Sequence, residues 1–135
     1  MTRAELEAVT RRWIGLWCAP VDWVLFDALH ADDFVDESSA GRPPTKAAFA
    51  EGLAELVLAF PDLRTTVDDL VVDEARSRVA VRWTAHGTNR ARFLGVGPTS
   101  RMTTFRGVEI VQIEAGRITR RWGEWDVSEH TGTPA

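Results

Sequence analysis

Asp126 closes Arg117–Asp126, a run that alternates like a strand and is the segment best suited to carry chemistry. Counted along that strand, Ile118, Arg120, Trp122, Glu124 and Asp126 share one face, and Thr119, Arg121, Gly123 and Trp125 share the other. A carboxylate at the strand end, on the face of Trp122, is expected at the floor of an apolar pocket. Desolvation there raises its pKa and a donor such as an indole N–H pulls it back, leaving a general base usable near neutral pH. The plainer alternative is a surface aspartate that ends the strand. Glu124 stands two residues away on the same predicted face. Two carboxylates facing one pocket repel, so one is partly protonated or turned to solvent, unless Glu124 pairs with Arg82 or Arg120.

His86 and Asn89 fall where the strands meet a longer connection. They are candidate donors to an enolate or alkoxide developing opposite the base, or simply hydrogen bonds that hold the loop. Large flat side chains line pockets as readily as they fill cores, and the chain has six tryptophans and no tyrosine. Trp17, Trp83, Trp122, Phe34 and Phe49, with Glu124, are the expected substrate contacts. Asp32, Asp33 and Asp36 read as a solvated acidic turn around Phe34, and His30 as a cap on helix carbonyls. His30, His86 and His130 show no ligand spacing and a single cysteine makes no zinc site, so no metal is expected. Gly95-Val-Gly97 precedes a strand instead of opening a helix, which argues against a dinucleotide loop. Cys18 ends an amphipathic helix and reads as packed rather than nucleophilic.

The elements that must position these residues follow from periodicity. Thr2 with Glu5 is a capping box, and Leu6, Val9, Trp13, Leu16 and Trp17 recur at helical spacing until Pro20. Asp22 caps a second helix through Trp23, Phe26 and Leu29. Thr45 caps a third, with Phe49, Leu53, Leu56 and Phe60 on one face, ended by Pro61. Beyond Pro61 the period becomes two: strands are predicted over 64–73, 78–86, 100–114 and 117–126, with turns at 74–77 and 115–116. The reading is one α+β domain over 1–135, its tail from about Ser128 frayed. Three helices lie on a curved antiparallel sheet and enclose a pocket.

Lys plus Arg number 16 against 20 Asp plus Glu, a net charge of −4 too acidic and too evenly spread for a nucleic-acid footprint. No run approaches the ~20 apolar residues of a membrane span. The charged start, Met1-Thr-Arg-Ala-Glu, lacks the apolar run of a signal peptide, so a cytoplasmic location is expected.

Three segments together resemble the SnoaL-like polyketide cyclases of the nuclear transport factor 2-like superfamily: Ala59-Phe-Pro-Asp-Leu63, the connection from Gly87 to Arg101, and Gly116-Arg-Ile-Thr-Arg-Arg-Trp122 followed by Asp126. The resemblance covers nearly the whole chain. It implies a cone-shaped fold, usually dimeric or larger, and a cofactor-independent aldol ring closure with an aspartate after the last-strand tryptophan as base, which matches Asp126. Where the family commonly has histidine after Gly-Thr, this chain has Asn89. Related isomerases use a tyrosine donor that this chain lacks. Related epoxide hydrolases use an Asp-Arg-Asp set with two members alternating on a strand, where this chain has Val or Thr around Arg82. The expectation is an enzyme acting on a small, mostly apolar carbonyl compound by cyclisation or isomerisation. An epoxide-opening or dehydrating relative, or a non-catalytic binding module, is the alternative. The expected partners are that small molecule and a second copy of the chain, with no cofactor, nucleic acid or membrane.

Overall fold

The structure is a computed structural model and describes residues 1–132. Its elements run α1 (Arg3–Ile14), α2 (Trp23–Leu29), β1 (His30–Asp36), α3 (Lys46–Ala59), β2 (Arg64–Asp73), β3 (Arg78–Thr88), β4 (Met102–Glu114), β5 (Arg117–Asp126) and α4 (Ser128–Thr131).

Local chemistry sets the helix ends. Thr2 accepts from the Glu5 N–H while Glu5 accepts from the Thr2 N–H, so the capping box forms and satisfies two otherwise orphaned donors. Asp22 caps α2 through the Leu25 N–H, and Thr45 caps α3 through the Ala48 N–H. Helix α1 stops at Gly15, which leaves Trp17 in the following turn instead of on the helix.

The strands form one sheet in the order β1-β5-β4-β3-β2, all neighbours antiparallel except β1 with β5. The predicted mixed architecture is thus present, with one addition: the acidic turn around Phe34 is a parallel edge strand. The tail also differs. Ser128–Thr131 is a helical turn whose His130 is buried, while 133–135 lie outside the described residues.

On β3 and β4 every second residue is buried, so Val79, Val81, Trp83 and Ala85 with Phe105, Val111 and Ile113 form the core face under α1 and α3. Each of the valine, isoleucine and phenylalanine side chains among them contributes roughly 1.5–3 kcal/mol on burial. At the far end Trp13 donates its indole N–H to Nε2 of His30 at 2.9 Å, and Nδ1 of His30 lies 2.7 Å from the Phe26 carbonyl. The histidine therefore caps α2 as a neutral ring, and burial pulls its pKa down to about 4. On the opposite sheet face Val71, Ala80, Ile110 and Trp122 stand side by side across four strands.

Candidate active site

One irregularity decides which residues of β5 face inward. Ile113 pairs with Ile118, but its neighbour Gln112 pairs with Arg120, so Thr119 is an extra residue and a bulge. Beyond it the alternation is shifted by one. Arg121, Gly123 and Trp125 come opposite Val111, Glu109 and Gly107 of the core face. Trp122, Glu124 and Asp126 come opposite Ile110, Val108 and Arg106 of the outer face.

Arg121 enters the interior and is held from both sides. Its Nη1 lies 2.9 Å from Oδ1 of Asp36, and its Nη2 lies 3.0 Å from Oε1 of Glu109. Asp36 is opposite Arg121 in the parallel β1–β5 ladder and Glu109 is one step along β4, so three strands assemble the set. Asp36 is 6% exposed and Glu109 3%. Around them Ser38 fixes the β1 end: its Oγ accepts from the Gly123 N–H at 2.9 Å, and its N–H donates to Asp36.

Burial pushes the Glu109 carboxyl up to about 7; Arg121 opposes the rise, Asp36 adds to it, and the nearby Trp83 indole opposes it weakly. For Arg121 burial works against the charge, but Glu109 and then Asp36 outweigh it and its pKa is raised. With Glu109 protonated, Asp36 and Arg121 neutralise each other. Losing that proton leaves one net negative charge in a dry site, which is why the carboxyl titrates near neutrality. Oε2 of Glu109 has no hydrogen-bond partner.

The set forms one wall of a cavity of about 660 Å³. Trp17 and Phe49 face it from the helical side, Trp83, Phe105 and Trp125 from the sheet, and the exposed Leu58 and Leu94 border it. Phe49 lies over the Arg121 guanidinium, 5.3 Å from ring centre to Cζ. The arrangement offers a proton acceptor or donor in an apolar, aromatic chamber.

Of the residues singled out from sequence, Trp17, Trp83, Phe49 and, at its rim, Glu124 line this cavity. The others do not stand where they were expected. Asp126 is exposed on the outer side, where hydrogen bonds from the Ser128 hydroxyl (2.6 Å) and N–H (2.9 Å) hold its carboxyl below the usual carboxylate range. It borders a second, more open groove with Arg106 and Val108, which adjoins the cavity at Trp83, Glu124 and Trp125. Glu124 is exposed and comes opposite the outer-face Val108, so it reaches only the rim of the cavity, and its expected partners are engaged elsewhere, Arg82 with Asp68 and Arg120 with Glu37. Trp122 lies on the outer face beneath Arg78, whose Cζ is 4.8 Å from the ring centre. His86 also points outward, its Nδ1 3.0 Å from the Thr104 hydroxyl.

Asn89 is buried but staples the loop: it donates to the Ala91 carbonyl at 2.7 Å and accepts from the Thr99 N–H at 2.7 Å. Phe34 is 3% exposed and packs on Phe49 and His30, in the core behind the cavity wall. Asp36 is no solvated turn residue, unlike the exposed Asp32 and Asp33.

Sequence reasoning passed over Glu109, Arg121, Trp125 and Phe105. Glu109 did carry a signal, as the lone acid on the alternating face of Phe105, Val111 and Ile113. Among the described residues no group of three or more His, Cys, Asp or Glu is arranged to hold a metal, and no helix is long and apolar enough to cross a membrane.

Several solved structures share this architecture. TsrD from Streptomyces laurentii superposes with a TM-score of 0.83 at 19% identity, over 96% of this chain and 93% of that one. AclR from Streptomyces galilaeus, described as a candidate hydroxylase, gives 0.83 at 24% identity over 95% and 83%. IdmH from Streptomyces antibioticus, described as a candidate polyketide cyclase, gives 0.80 at 24% identity over 94% and 96%. At such identities the likeness is one of fold. No curated protein matches the sequence. The family model for SnoaL-like polyketide cyclases, however, matches residues 7–131, and the chain belongs to that family.

Proposed function

We propose that the protein is an enzyme that moves a proton on a small, mostly apolar carbonyl compound, closing a ring by aldol addition or shifting a double bond, with Glu109 as the general base. The observation that carries this reading is a carboxyl buried in the wall of an aromatic cavity, with one oxygen held by Arg121 and the other unpartnered. In the ring closure Glu109 takes the proton α to one carbonyl, and the resulting carbanion adds to a second carbonyl of the same molecule. The new alkoxide then recovers the proton from Glu109, which returns to its starting state. Arg121 and Asp36 fix the carboxyl and keep its pKa near the working pH, where a general base is most effective. The cavity supplies orientation, which is worth up to about 7–11 kcal/mol.

A second reading draws on the same three side chains. One carboxyl protonated and one ionised about a guanidinium would also suit the opening of an epoxide by water. The set is drawn from β1, β4 and β5, not from the strand around Arg82 where the sequence was searched for it.

Native mass spectrometry of the purified protein, to identify a co-purifying small molecule, followed by turnover of that molecule, tests the proposal. Glu109→Gln is expected to lose roughly 10²–10⁴-fold in rate, the usual worth of a positioned base. Asp126→Asn should stay near wild type. Unchanged turnover in Glu109→Gln would overturn the assignment, and incorporation of labelled water oxygen into the product would favour the epoxide reading.

A further inference from the structure

Trp83 stands on β3 with its ring laid across Gly107 of β4: a Cβ at position 107 would lie 2.4 Å from Cζ2 and 2.7 Å from Cε2, the carbon bonded to the indole nitrogen. The side chain is 7% exposed, yet Nε1 has no hydrogen-bond partner. Buried indole N–H groups ordinarily find an acceptor. Trp13 in the same core does so, on His30. The unpartnered Oε2 of Glu109 is in the same cavity wall, and the indole adjoins that carboxyl closely enough to lower its pKa. A donor and a carboxyl oxygen of residues in one cavity wall are thus both left without a hydrogen bond of good geometry.

We infer that the Trp83 indole N–H is the donor that binds the ligand oxygen on which negative charge collects, so that the site takes the enolate or phenolate oxygen of a flat, conjugated molecule. The inference rests on proton transfer at Glu109 as proposed above. The chain has no tyrosine, His86 faces outward, and Asn89 is committed to its loop. Nε of Arg121 is also buried without a partner, but it belongs to a guanidinium whose charge Asp36 and Glu109 already balance through the Nη atoms. Phe49, Phe105 and Trp125 supply the flat walls that a conjugated ring system needs. Proton removal next to a carbonyl moves charge onto that oxygen, and a fixed donor is worth most there because it strengthens as the charge grows.

The test uses the whole protein with ¹⁵N-labelled tryptophan, whose six indole N–H signals are resolved by NMR. The Trp83 signal is assigned by its loss in Trp83→Phe. The probe is 2,4-dinitrophenolate at pH 6, where Glu109 with its pKa of about 7 holds its proton as it does beside the enolate, and 1,3-dinitrobenzene is the analogue lacking the anionic oxygen. Saturable binding of 2,4-dinitrophenolate should shift the Trp83 N–H downfield, as a strengthened hydrogen bond requires, and leave Trp13, Trp23 and Trp122 in place; 1,3-dinitrobenzene should not produce that shift. Trp83→Phe should weaken the phenolate roughly tenfold or more, the usual worth of a hydrogen bond to a charged group. If Trp83→Phe fails to fold, the Trp83 signal is assigned in the wild type from its nuclear Overhauser contacts with Gly107, over which the ring lies, and its shift decides alone. No saturable binding, binding with the Trp83 signal unmoved, or equal affinity in folded Trp83→Phe overturns the inference. The carboxyl ¹³C signal of Glu109, followed through pH in the same protein, separates this failure from that of the base. An ordinary glutamate titration would sink the proton-transfer reading whatever Trp83 does.

Discussion

Oε2 of Glu109 occupies the space in which a side chain at position 123 would begin: a Cβ built on Gly123 lies 1.7 Å from it and 2.4 Å from Nη2 of Arg121. The two residues are directly paired across β4 and β5, so the carboxyl lies flat on its neighbour's backbone only because that neighbour is glycine. Gly123→Ala is therefore expected to push both charged groups into the cavity. Both clashing atoms end flexible side chains, so the sheet should survive with a loss of about 1–3 kcal/mol, the cost of disturbing a buried polar pair. Turnover should fall much further than stability. Urea unfolding beside a rate measurement checks this, and an alanine variant as active as wild type would show that the carboxyl needs no such seat.

Stability should respond to pH through two groups that work against each other. His30 is held neutral with its pKa down from 6.5 to about 4, so its contribution is present above pH 6.5 and is lost as pH falls toward 4. Glu109 is raised from 4.5 to about 7, so its contribution is present below pH 4.5 and is lost as pH rises through 7. Each is of the order of 3 kcal/mol. Between pH 4.5 and 6.5 the slopes oppose, and wild-type stability should be nearly flat. Glu109→Gln removes one slope, so its stability relative to wild type should climb from pH 5 to about 7 and level off above it. Urea midpoints at four pH values would show it, and parallel curves for the two proteins would refute the raised Glu109 pKa.

Asn89 should matter to the loop and not to the proton. Its carboxamide joins Ala91 to Thr99, and Gly97 must lack a side chain because a Cβ there would lie 2.2 Å from Oδ1 of Asn89. Asn89→Ala is expected to cost about 1–3 kcal/mol by leaving part-buried backbone groups at Ala91 and Thr99 unpaired. Amide exchange over 90–100 should quicken while the Glu109 titration stays put. A shift of that titration instead would give Asn89 a direct place in the chemistry.

The outer stripe of Val71, Ala80, Ile110 and Trp122 is expected to join two copies of the chain. Val71 is 62% exposed and Ile110 41%, an apolar strip that an isolated monomer would leave wet. Sedimentation should show a dimer or larger species at micromolar concentration, and Ile110→Glu should shift it toward the monomer. A wild-type protein that runs only at 15.0 kDa removes the idea.

The fold was readable because its determinants are local. The caps at Thr2, Asp22 and Thr45 and the change of period after Pro61 each act within a few residues, and β2 and β5 begin and end where alternation placed them. The site was not readable because it depends on phase. Counting inward from Ile118 assigns Trp122 and Asp126 to the core, and the count holds only until Thr119 is squeezed out as a bulge. No property of Thr119 announces that. Asp36 was hidden in a different way. Beside Asp32 and Asp33 it reads as one more solvated acid, and only the parallel pairing with β5 carries it to Arg121.

The placement of the tryptophans makes the protein its own optical reporter. With no tyrosine in the chain, ultraviolet emission comes from tryptophan alone. Trp17, Trp83 and Trp125 border the cavity, whereas Trp13 is sealed in the core, Trp23 is 43% exposed and Trp122 lies under Arg78 on the far face. A ligand that fills the cavity must quench or blue-shift half of the fluorophores and leave the rest unchanged, so occupancy can be followed without a label and before any substrate has a name.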